Sequence, residues 1–117
     1  MWVMASEQVV AEREPHQREC CCSAYHHAIE LIGKRWTGAI VFVLMDGPLR
    51  FSEVKSLVPD LSDRLLSERM KELESEGIVE RRVIDDMPVR VEYTLTAKGR
   101  GLEPALRSLK VWARSWR

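Results

Sequence analysis

Between Ser62 and Glu76 the side chains able to bind an anion or a base edge recur at helical spacing. At about 100° per residue, Arg64, Ser67, Lys71 and Ser75 share one face, and Leu65, Leu66, Met70 and Leu73 gather on the opposite one. A ridge of guanidinium, ammonium and small hydroxyl groups offers donors to phosphate oxygens and to base edges. Glu68 and Glu72 sit on a flank, and Glu74 and Glu76 make the far end acidic. That gradient suits a helix whose N-terminal half enters a groove while its C-terminal half points away. Arg69 falls at the edge of the apolar stripe, where it can hold neighbouring acidic side chains as readily as touch DNA.

A second reactive group is the contiguous triplet Cys20, Cys21 and Cys22. Neighbours in sequence cannot build a disulfide framework, and the triplet lacks the spaced second half of a zinc site, so free thiols are expected. His26 and His27 follow as solvated residues of a first helix. The sequence contains no Cys-x-x-Cys pair, no phosphate loop and no nucleophile elbow. It therefore points to no enzyme, no metal and no cofactor.

The elements that would carry these groups follow from periodicity and punctuation. Tyr25, Ala28, Ile29, Leu31 and Ile32 mark a helix stopped by Gly33, and Thr37–Met45 is apolar nearly all round, as in a buried helix. After Asp46-Gly47-Pro48 and a short extended piece at 49–51, Ser52 is placed to cap a helix through Val58, with Val54, Leu57 and Val58 inward. Pro59-Asp60-Leu61 turns the chain, Ser62 caps the next helix, and Gly77 closes it. Val79–Ile84 and Val89–Leu95 alternate as strands around the loop Asp85-Asp86-Met87-Pro88. Thr96 then caps a last helix, weakened at Gly99 and Gly101, whose Leu106, Leu109, Trp112 and Trp116 form a stripe.

Helix, turn, helix and hairpin in this order predict an α+β, mostly α fold: a winged helix-turn-helix with flanking N- and C-terminal dimerisation helices. Residues 1–22 read as a flexible arm bearing the cysteine triplet, and residues 23–117 as the folded domain. The apolar stripe Leu106, Leu109, Trp112 and Trp116 exceeds what a monomer of 117 residues readily covers, and is expected to be a homodimer interface flanked by Arg107, Lys110, Arg114 and Arg117. In the wing, Arg82 and Arg90 face away from the apolar side, toward phosphate, with Asp85 and Asp86 opposing them. Arg50 and the helix-start hydroxyls Thr37 and Ser52 are weaker candidates for backbone contact.

Composition limits these readings. Eighteen cations balance eighteen anions, so affinity for a polyanion has to come from charges sorted onto faces. No apolar run approaches a membrane span, and the first residues lack the layout of a secretory signal, so a cytoplasmic protein is expected. Zero net charge also leaves room for a winged-helix protein-interaction module without DNA, and the thiols for a redox protein using the fold as a scaffold.

Four segments carry a family resemblance: Gly33-Lys34-Arg35-Trp36-Thr37; Gly47-Pro48-Leu49-Arg50-Phe51-Ser52-Glu53; Leu61 to Leu73 with Glu76-Gly77-Ile78-Val79-Glu80-Arg81; and Val91-Glu92-Tyr93-Thr94-Leu95-Thr96-Ala97-Lys98-Gly99. Together they resemble the HxlR family of bacterial transcription regulators, relatives of MarR, over Cys22 to Trp112. The resemblance implies a homodimer on a palindromic or near-palindromic operator in double-stranded DNA, more often a repressor than an activator. It makes the helix from Ser62 the recognition helix and puts Arg90 in the wing. Trp36 and Phe51 become core residues. On this reading Arg64, Ser67 and Lys71 contact bases, and Ser62, Arg82 and Arg90 contact the backbone. Members of the family often carry a cysteine just ahead of the first helix, in some a sensor of oxidants or electrophiles. Counted back from Trp36 that position is Ser23, which makes Cys22 the leading candidate, with Cys21 and Cys20 beside it, for an oxidant or small-molecule effector.

Overall fold

A computed structural model describes residues 22–116. Among the described residues six helices and two strands follow one another: α1 (Ser23–Ile32), α2 (Thr37–Leu44), α3 (Phe51–Leu57), α4 (Asp63–Ser75), β1 (Val79–Ile84), β2 (Arg90–Leu95), α5 (Ala97–Arg100) and α6 (Glu103–Trp116). The chain divides into two units between Glu30 and Leu31, inside α1. No described helix is long and apolar enough to cross a membrane.

In the unit from Leu31 onward, α2 buries Thr37, Ile40, Val41 and Leu44, as its apolar circumference requires. Val54 of α3, Leu61 of the following turn, and Leu66, Met70 and Leu73 of α4 join them in the deepest part of the core, at most 1% exposed. Each such aliphatic side chain contributes about 1.5–3 kcal/mol. Trp36 and Phe51 pack partly buried against this core, as expected of them.

The helix-turn-helix is fixed at three points. Arg50, not Ser52, is the N-cap of α3, because the Glu53 side chain reaches back and its Oε1 accepts from the Arg50 N–H at 2.8 Å. The helix then ends at Leu57. Val58, with φ −128 and ψ 69, has left the helical path and turns inward, leaving Leu57 57% exposed rather than buried as the periodicity suggested. Lys55 Nζ donates to the carbonyls of Pro59 and Leu61, closing the turn from the side. Ser62 caps α4 as its sequence predicts, its Oγ accepting from the Leu65 N–H at 3.1 Å. At the other end Gly77 takes φ 74, and the N–H groups of Gly77 and Ile78 donate to the carbonyls of Glu74 (3.0 Å) and Leu73 (2.9 Å), the paired bonds of a Schellman stop.

The wing pairs β1 and β2 antiparallel from Val79↔Leu95 to Ile84↔Arg90. Its ladder begins at Arg90 rather than Val89, because Arg90 pairs with Ile84, the last residue of β1. Leu49 forms an isolated antiparallel bridge to β2, exchanging hydrogen bonds with Tyr93 at 3.0 and 2.7 Å, so the extended piece before α3 is tied to the wing.

The single last helix read from the sequence is two. Thr96 caps α5, accepting from the Gly99 N–H at 3.1 Å, and α6 restarts at Glu103. Pro104 explains the break: it has no N–H for the Arg100 carbonyl and its ring crowds that carbonyl, so one helix cannot run through. Gly99 is buried against Ile78, and a Cβ there would lie 2.3 Å from the Ile78 carbonyl oxygen. Close approach, more than helix weakening, accounts for this glycine.

Candidate nucleic-acid interface

The cap at Ser62 sets where α4 begins and therefore which residues stand at its N-terminal, positively polarised end. Ser62, Asp63 and Arg64 are exposed, Ser67 is half-buried, and Lys71 and Ser75 are exposed, all on the side away from Leu66, Met70 and Leu73. The Arg64 side chain is 91% exposed, and its Nε lies 3.5 Å from Glu68 Oε1. Arg64, Ser67 and Lys71 thus come together on one open ridge.

The wing residues lie as the alternation predicts. Arg82 and Arg90 stand on the face opposite Val79, Val83, Val91 and Leu95. Each is held by acids: Arg82 Nε is 2.8 Å from Glu80 Oε1, and Arg90 lies 3.4 Å from Asp86 and 3.3 Å from Glu92. The half-exposed Arg82–Glu80 pair contributes about 0–1 kcal/mol, so its exchange for a phosphate oxygen costs little, whereas Arg90 Nε is buried against Glu92, whose side chain is 24% exposed. Met87 at the tip is 99% exposed. Arg50 and Ser52 are exposed at the start of α3.

Two residues are not where the sequence put them. Thr37 is 1% exposed and its Oγ1 has no hydrogen-bond partner, so it belongs to the interior and not to a DNA-facing surface. It opens α2, which is buried on most sides, and a helix-start hydroxyl reaches solvent only where its first turn does. Leu106 is 5% exposed within its own chain, so it is a core residue and not part of an intersubunit seam. The remainder of its stripe is open: Leu109, Trp112 and Trp116 are 56%, 60% and 75% exposed. Lys110, expected at the flank of the seam, places Nζ 5.3 Å from the Phe42 ring centroid.

Side chains whose long-range partners no local pattern gives tie α4 to the turn between α1 and α2, and Arg69 holds an acidic neighbour, one of the two roles its place at the edge of the apolar stripe allows. Lys34 Nζ donates to Glu72 Oε2 at 2.6 Å, Arg69 pairs with Glu72 Oε1 at 3.1 Å, and Arg69 Nε donates to the Arg35 carbonyl at 3.1 Å. Arg69 is thus turned toward an acid and a carbonyl, with 16% of its side chain exposed. The Lys34 hydrogen bond, helped by the charges of Lys34 and Arg69 and opposed by partial burial, holds the Glu72 carboxyl below its ordinary range. That contribution to stability is complete above the ordinary carboxylate pKa of about 4.3 and is lost as pH falls through the lowered folded value. A separation of 38 residues hid the Lys34–Glu72 pair from any local pattern.

Cys22 immediately precedes α1, is exposed, and its Sγ accepts from the Tyr25 N–H at 3.3 Å. Along α1, Tyr25 and Ile29 are 58% and 53% exposed. Cys20, Cys21, the rest of the arm and Arg117 lie outside the described residues.

Residues 31–117 match the family of HxlR-like helix-turn-helix proteins. YvaP, an uncharacterised HTH-type transcriptional regulator of Bacillus subtilis (strain 168), is 50% identical over 95 residues, covering 81% of this chain and 88% of YvaP. The HTH-type transcriptional regulator YodB of the same organism is 48% identical over 92 residues, 79% of this chain and 82% of YodB. The reduced form of YodB superposes with a TM-score of 0.77 at 46% identity, covering 81% and 93% of the two chains. Its quinone-bound form gives 0.72 at 44% identity over 81% and 99%. The redox regulator HypR in its oxidised form gives 0.75 at 38% identity over 82% and 98%.

Proposed function

The chain belongs to the HxlR-like helix-turn-helix family and is a DNA-binding transcriptional regulator rather than an enzyme, and we propose that it acts in the cytoplasm as a homodimeric repressor on a near-palindromic operator. The observation that carries this reading is the open ridge of α4, with Arg64 91% exposed on its side chain and the cap at Ser62 aiming the helix start outward. Arg64, Ser67 and Lys71 read base edges, with an arginine or lysine suited to the guanine O6 and N7 acceptors. Ser62, Arg82, Arg90, Arg50 and Ser52 hold the backbone. Support for pairing comes from the uncovered apolar side chains Leu109, Trp112 and Trp116 on one face of α6, a patch of the kind that marks an interface between copies.

Cys22 is the thiol through which the regulator responds to an oxidant or an electrophile such as a quinone. Its exposure supports this, as do the redox state named for HypR and the quinone bound to YodB. Oxidation or alkylation of a thiol ahead of α1 changes the relative placement of two recognition helices when the thiol crosses between subunits.

Replacing Arg64 by Ala tests the groove reading. Binding to a duplex selected by the wild-type protein should weaken by about 1–3 kcal/mol, with a smaller change on random duplex. Equal losses on both would make Arg64 a phosphate contact and remove the base-reading role.

A further inference from the structure

Trp36 is the sole non-glycine among the described residues with positive φ, at 77°. A bulky side chain in the left-handed region is strained and persists only where its surroundings over-determine the backbone. Here they do. The Arg35 guanidinium lies 4.9 Å from the Trp36 ring centroid, and the Arg35 carbonyl accepts from Arg69 Nε on α4. Lys34, one residue earlier, reaches Glu72 one turn further along α4, and Arg69 joins the two by its own bond to Glu72. Two consecutive residues of one turn, Lys34 and Arg35, are thus fastened to one flank of one helix, directly before the strained Trp36.

The apolar stripe of α4 decides which side faces inward, but hydrophobic contact is non-directional and does not fix a helix against small rotations. Hydrogen bonds to base edges require donor–acceptor distances held to roughly a few tenths of an ångström. With side-chain ends about 6 Å from the helix axis, a rotation of about 10° displaces them by about 1 Å, enough to break such a contact. The directional bonds on α4 come instead from Arg69 and Glu72. We propose that the Lys34–Trp36 turn is a clamp that sets the rotation of α4 in the groove, with Lys34, Arg69 and Glu72 as positioning residues for DNA sequence recognition. The proposal rests on α4 being the DNA-reading helix. The side chains of Lys34 and Glu72 are 43% and 34% exposed, so the pair contributes little to global stability, and its effect is on where Arg64 and Lys71 point.

Electrostatics alone makes the opposite forecast, which gives the test its sign. Glu72→Gln removes a negative charge, and by counterion arguments should tighten binding to every duplex. The clamp requires the reverse on the preferred one. Full-length protein is used to select a duplex from a random library, and affinity for that duplex and for its scrambled version is measured at one salt concentration by fluorescence anisotropy, well below each variant's melting temperature. Glu72→Gln is expected to bind the selected duplex about 5–10-fold more weakly while its affinity for the scrambled duplex is unchanged or higher. Arg69→Lys, which conserves charge but cannot present two fixed donors to Glu72 and the Arg35 carbonyl, should lose about 5-fold on the selected duplex alone. The clamp is overturned if either variant keeps wild-type affinity for the selected duplex, or if the loss is equal on both duplexes. Failure of the wild-type protein to select any sequence would instead remove the groove reading on which it rests.

Discussion

Among single residues, the contrast between Arg64 and Thr37 shows what residue type can and cannot indicate. Both were donors at the start of a helix in the sequence, yet one is almost wholly exposed and the other is buried with an unpartnered hydroxyl. Arg64 was legible because its helix is amphipathic, so the polar side is also the outer side. Thr37 was not, because α2 is apolar nearly all round and offers no outer side to infer. The pairing of Lys34 with Glu72 was not legible for another reason: a charged residue on a surface helix has many partners in principle, and tertiary placement alone selects one. Cys22 is the residue at which the regulatory proposal is decided. In protein bound to its selected duplex, treatment with diamide or a quinone should release the DNA, and Cys22→Ser should stay bound under the same treatment, measured by mobility shift. Release of the Cys22→Ser protein to the same extent would move the sensor to Cys20 or Cys21, or away from thiols.

At the scale of elements, capping and periodicity located most boundaries to within one or two residues. Ser62, Gly77 and Thr96 each do what their side chain or backbone freedom predicts. Two boundaries moved for identifiable causes: Glu53 draws the start of α3 back to Arg50, and Pro104 splits the last helix. The short helix α5 exists to bring Gly99 against Ile78 while Thr96 Oγ1 donates to the carbonyls of Gly77 and Ile78, at 2.5 and 3.2 Å. Lys98 Nζ adds a bond to the Glu76 carbonyl at 2.6 Å. Gly99→Ala is therefore expected to destabilise the protein by about 1–3 kcal/mol, despite the better helix propensity of alanine. Thermal unfolding followed by circular dichroism checks it, and an unchanged or raised melting temperature would show that the approach at Ile78 relaxes freely.

For the molecule as a whole, zero net charge is compatible with DNA binding because charges are sorted rather than summed: the exposed ridge of α4 presents Arg64 and Lys71, whereas Glu72 is turned onto Lys34 and Arg69. The fold class was readable because helix, turn, helix and hairpin each announce themselves locally. A second copy announces itself only as uncovered apolar surface on α6, from which Leu106 must be subtracted. Two copies presenting α4 to one duplex leave a pattern that one copy cannot. Dimethyl sulfate footprinting on the selected duplex reads guanine N7, which lies in the major groove. Protected guanines are expected in two symmetric clusters, one helical turn or a multiple apart, with protection lost from both clusters in Arg64→Ala. A single cluster, or protection that survives Arg64→Ala unchanged, would contradict a dimer reading two half-sites through α4.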